Sequence, residues 1–175
     1  MIARLVFLAT LALSGTTLAQ TGTVPGEEAK PKLPAALTEK QVRELKSGEV
    51  PGLARTAEAH GWPSPARVTG WAADLDLTDE QARDVLIARK RLQASSRKTG
   101  AEIIAKEQEL DAAFADGTII PDELTRLTFE IGYLYGRLRA AHLYASMEMK
   151  TLLTPEQLER YREIAGAGER TAGRQ

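Results

Sequence analysis

Residues 79–115 read DEQARDVLIARKRLQASSRKTGAEIIAKEQELDAAFA, a stretch with no proline and a single glycine, Gly100. Nothing in it breaks a helix, so it predicts one helix of about 37 residues, roughly 55 Å long. Its apolar seam runs Val85, Ala88, Leu92, Ser96, Thr99, Ile103, Leu110 and Phe114, close to a heptad, and its small polar middle predicts loose packing there. Asp116-Gly117 ends it, and Pro121-Asp122-Glu123 opens a return helix with acid in its positive first turn. The return seam is Leu124, Leu127, Ile131, Leu134, Leu138, Ala141, Ala145 and Leu152, spaced 3, 4, 3, 4, 3, 4 and 7. Two neighbouring helices sharing a repeat of about 3.5 residues across a short connection predict a long antiparallel helical hairpin.

Three copies of Leu-Thr-x-x-Gln punctuate this pattern: Leu37-Thr38 with Gln41, Leu77-Thr78 with Gln81, and Leu153-Thr154 with Gln157. Each reads as a capping box. The Thr accepts from a first-turn N–H, and the Gln reaches back to the N–H of the Thr. The preceding Leu can staple onto Val42, Ala82 or Leu158, and Pro155 suits the first helical position of the third copy. Short helices are expected over 39–47, with Gly48 as stop, over about 52–60, and from Ser64-Pro65 to about Leu75. Trp62 and Trp71 are expected to pack these pieces onto the remainder, and a last helix should run from Pro155 to about Ile164. The fold class is therefore all-α.

The ends read differently. Residues 1–19 resemble a secretory signal: Arg4, a run from Leu5 to Leu13 that is apolar apart from Thr10, and small residues before the cleavage point. Residues 20–36 form a Pro- and Gly-containing leader, 37–165 the helical domain, and 166–175 a disordered tail. The expected location is the periplasm, without a membrane span after processing.

The chain holds 23 Lys and Arg against 24 Asp and Glu, and the signal takes Arg4, leaving 22 against 24 and a formal net charge of −2. That balance argues against nucleic acid as a partner. There is no cysteine, hence no thiol chemistry, and no Ser-His-Asp motif or Gly-rich phosphate loop. No residue is assigned a catalytic role, and an enzyme is not expected.

Two surface features point to binding. Arg89, Lys90, Arg91, Arg97 and Lys98 lie in a stretch without acid, a local cationic patch suited to attracting acidic or unfolded chains. On the return helix a second stripe, Phe129, Tyr133, Gly136, Ala140, Leu143 or Tyr144, and Met147, lies about 200° round from the seam. The short N-terminal helices, a second subunit or other proteins could each cover it. Phe129, Tyr133, Tyr144, Met147 and Met149 are the soft contacts a many-sequence binder needs. His60 and His142 are the only imidazoles, and Ser146 stands where a second helical His would pair with His142. They are the candidate ligands for zinc, nickel, cobalt or copper, the alternative to a cofactor-free protein.

An exported all-helical chain with repeated Leu-Thr-x-x-Gln boxes around a long hairpin resembles the Spy/CpxP group of periplasmic stress proteins. Zinc-resistance-associated proteins and heavy-metal sensors belong to the same superfamily. The resemblance covers about 37–165 and is strongest at Leu77 to Gln81 and Leu153 to Gln157; the run from Gly52 to Pro63 is similar too. It implies a bent hairpin dimerising into a cradle whose concave face holds unfolded proteins without ATP. It also implies partners of three kinds: unfolded or partly folded proteins, a second copy of the chain, and a sensor kinase or sigma-factor regulator.

Overall fold

A computed structural model describes residues 33–172, with side chains through Gly166. The expected signal, leader residues 20–32 and the last three residues lie outside that range. Six helices follow in order: α1 (Glu39–Ser47), α2 (Arg55–Glu58), α3 (Pro65–Gly70), α4 (Asp79–Ala115), α5 (Pro121–Leu152) and α6 (Pro155–Ala172). The described residues contain no strand, so the all-α class holds.

The start signals act as expected. Thr38, Thr78 and Thr154 each accept from the N–H of the Gln three residues on, and each Gln accepts from the N–H of its Thr. Ser64 caps α3, with Pro65 at its first position. Gly48 ends α1 in a left-handed conformation at φ 71°, the geometry glycine adopts without a Cβ penalty.

Three helix bounds differ from the sequence reading. α2 is a single turn because Ala54 offers no capping side chain and Gly52, at φ 82°, already turns the chain ahead of it. α3 stops at Gly70, and the chain continues through turns to Asp76, whose φ of 49° is positive. The Leu77 N–H bonds the Ala72 carbonyl at 3.1 Å and the Asp76 N–H bonds the Ala73 carbonyl at 3.2 Å, a Schellman-type ending. α6 runs on to Ala172 rather than stopping near Ile164. In the short leader remnant Pro34 is buried and its carbonyl accepts from Leu37 N–H at 3.0 Å.

α4 and α5 run side by side in opposite directions. Arg91 meets Glu148, Arg137 meets Glu102, and Arg126 meets Glu109, so the contacts climb one helix as they descend the other. Two apolar clusters hold the molecule. One joins Val68 before the 71–76 turns, Leu75, Val85 and Ala88 of α4, Met149 of α5, Leu153, and Leu158 and Tyr161 of α6. The other seats Leu37, Val42 and Leu45 on Ile103 and Ile104 of α4 and Leu134 and Leu138 of α5. Trp71 stacks at 5.4 Å on Tyr161 beneath the Arg67 guanidinium, and Trp62 lies 3.8 Å under Lys150 Nζ.

The middle of α4 is not loose. Ser96, Thr99 and Gly100 are buried, and a Cβ on Gly100 would stand 2.3 Å from the Leu45 carbonyl oxygen. The small residues admit the end of α1 against the helix backbone. The seam instead frays at its far end, where Phe114 and Leu124 are both exposed.

Candidate functional site

The helix pair has two unlike faces. α1 rests on α4 at Gln93, Arg97 and Gly100, while Thr56 of α2 accepts from Arg139 on α5 at 3.0 Å. At about 100° per residue, Arg91 and Glu102 on α4 and Arg137 and Glu148 on α5 point roughly opposite to those contacts. Their ion pairs therefore cross the uncovered face. The N-terminal helices occupy one side of the pair and leave the other free.

The second stripe of α5 borders that free side. Phe129 is 76% exposed, Tyr133 68%, Tyr144 69% and Met147 50%. Gly132 and Gly136 have open space where a Cβ would stand. The short helices thus do not cover the stripe, which excludes intramolecular cover by α1–α3. Its ends, residues 129 and 147, are about 27 Å apart along the helix. An apolar run of this length on a single chain is the kind of surface that marks an interaction site. α4 also exposes Leu86 and Ile87, which the sequence reading missed; both fall off the heptad seam, and Leu86, seven residues before Gln93, shares the direction of the α1 contacts and is no part of the stripe's side.

Met149 does not belong to this surface. It is fully buried in the core beside Val85 and Tyr161, because two residues along a helix turn a side chain about 200° away from Met147.

The cationic patch is partly neutralised. Arg89 bonds Glu49 at 3.3 Å, Arg91 bonds Glu148 Oε1 at 2.7 Å, and Arg97 Nε donates to the Ser47 carbonyl at 2.9 Å. Among the described residues, Lys90, Arg97 and Lys98 pair with no acid, and with Arg97 held on the Ser47 carbonyl, Lys90 and Lys98 are the unbonded cations of the patch. Near the far end of the pair, Lys106 and Arg126 each bridge Glu109 and Glu130 at 2.7 to 2.9 Å. These hydrogen bonds hold both carboxyls below and both cations above their usual values.

The two histidines are placed apart in character. His60 is exposed in a turn. His142 is partly buried, its Nε2 lies 3.2 Å from Ser96 Oγ, and burial pushes its pKa below the ordinary imidazole value. No carboxylate among the described residues bonds the other ring nitrogen. Among the described residues, no three His, Asp or Glu side chains are grouped to hold a metal ion. No helix there is long and apolar enough to cross a membrane. Searches against family models, curated proteins and solved structures find no match to this chain.

Proposed function

We propose that the protein is a periplasmic, ATP-independent chaperone of the holdase type, an envelope-stress protein that binds unfolded or partly folded clients. The exposed stripe from Phe129 to Met147 carries this reading. Aromatic and thioether side chains on an open helix face offer adaptable apolar contact without a shaped pocket, which suits many sequences bound weakly. Lys90 and Lys98 add long-range attraction for acidic segments. In this reading α4 and α5 are the long hairpin of the Spy/CpxP-like fold, two copies assemble as a cradle, and no catalytic step is involved.

The heavy-metal alternative rests on His60 and His142, and the grouping of acids and imidazoles described above gives it no added support. The test is light scattering from a denatured client diluted into buffer without nucleotide. Suppression at near-stoichiometric protein supports the chaperone; full aggregation of several clients at that ratio refutes it.

A further inference from the structure

A cleft of about 320 Å³ opens where the α1–α2 connection and the start of α3 meet the middle of α4 and α5. It lies on the covered side of the helix pair, away from the client stripe. Its walls are apolar: Val50, Pro51, Ala54, Pro65 and Leu92, with His142 contributing an imidazole to the lining. This volume falls within the range of small-molecule sites, and so does an apolar wall with few polar groups.

The charges around it cancel. Arg89 is bonded to Glu49 at 3.3 Å, and Arg67 is bonded to Glu58 at 3.3 Å. Gln93 and Ser64 satisfy the same two carboxylates at 3.3 and 2.6 Å. An anionic ligand would have to compete with Glu49 and Glu58 for those guanidiniums, and a cation would have to break the same pairs. Among the described residues only Nε2 of His142 is bonded, to Ser96, and its Nδ1 has no partner. Burial also pushes the pKa of that ring below the ordinary imidazole value, which favours its neutral form. The Ser96 bond fits either tautomer; in the one whose Nε2–H donates to Ser96, Nδ1 is left as an acceptor.

We propose that this cleft binds a neutral, mostly apolar small molecule carrying one hydrogen-bond donor, with His142 in the tautomer whose Nε2–H donates to Ser96 and whose Nδ1 accepts from the ligand. The site is independent of the client stripe and of the chaperone reading. Two naphthylamine probes test it on the full chain. N-phenyl-1-naphthylamine is neutral, apolar and has one N–H; 1-anilinonaphthalene-8-sulfonate keeps that skeleton and adds an anion.

The neutral probe should bind saturably, one per chain, with a rise in fluorescence. The sulfonate should bind at least about tenfold more weakly. Ala66 is exposed and lines the cleft, so Ala66→Trp should plug it with unchanged helical circular dichroism and weaken the neutral probe about tenfold or more. His142→Leu should weaken it about fivefold, the worth of one hydrogen bond. Phe129→Ser with Tyr144→Ser should leave it unchanged. No saturable binding, binding indifferent to Ala66→Trp, loss with the stripe variant, or equal binding of the sulfonate would each overturn the assignment.

Discussion

Gln81 Nε2 donates to Gln157 Oε1 at 2.8 Å, and Gln157 Nε2 donates back to Gln81 Oε1 at 3.0 Å. Each amide also donates to the carbonyl just before the other's motif: Gln81 to Leu152 at 3.0 Å, Gln157 to Asp76 at 3.3 Å. Each Oε1 closes its own capping box on Thr78 or Thr154 at 3.0 Å. Both side chains thus use every donor and a lone pair for each acceptor bond. The second and third boxes form a near-symmetric clasp joining the start of α4 to the start of α6.

This arrangement explains glutamine where an ordinary capping box takes glutamate equally well. Gln81→Glu keeps the bond to Thr78 but removes two donors and sets a carboxylate against Gln157 Oε1. Urea unfolding should show a loss of about 2 kcal/mol. Gln41 belongs to the lone first box, where its Nε2 has no partner among the described residues, so Gln41→Glu should cost less than about 0.5 kcal/mol. Equal costs at the two positions would remove the clasp from the account.

Gly100 offers a second contrast. In a free helix Gly→Ala gains about 1 kcal/mol. Here the new methyl would meet the Leu45 carbonyl oxygen at 2.3 Å, a backbone atom that cannot rotate away. Gly100→Ala should therefore destabilise by about 1–2 kcal/mol net and speed amide exchange in α1. A stabilised variant would show that α1 sits elsewhere.

Glu107 is 8% exposed, and burial raises its carboxyl above the usual range. The sign follows from linkage. Below the unfolded value of about 4.3 both states hold the proton, and above the raised folded value the buried anion costs stability. Glu107→Gln should then stabilise by about 1 kcal/mol at pH 7.5, with the gain vanishing by about pH 4. A benefit that persists in acid would assign the effect to packing instead of charge.

The free lysines predict a salt-dependent rate. Lys90→Glu with Lys98→Glu should slow client capture several-fold at low ionic strength and leave it nearly unchanged in about 0.5 M salt. Reversing Arg91 would also break its bond to Glu148, so that substitution mixes capture with stability. A rate insensitive to the double lysine change would leave attraction to the stripe alone.

The helix starts were legible because each is written locally: Thr before Gln, Ser before Pro, Gly at a left-handed stop. α4 and α5 were legible from the absence of breakers and the seam spacing. The clasp was not, because Gln81 and Gln157 are separated by 76 positions and a capping box carries no mark of its neighbour. The role of Gly100 was hidden for a related reason: a small seam residue reads as a gap until the element that fills it is placed. The bonds of three of the five patch cations were not legible, because Glu49, Glu148 and the Ser47 carbonyl reach Arg89, Arg91 and Arg97 only in the fold. The stripe itself was visible by its phase, and Met149 was included against that phase.

The most direct test compares the intact chain with a Phe129→Ser, Tyr133→Ser, Tyr144→Ser variant in client aggregation without ATP. All three side chains are more than two-thirds exposed, so the melting temperature should hold or rise. The account predicts suppression by the intact chain and most of it lost in the variant. Undiminished suppression by the triple-serine chain would contradict it.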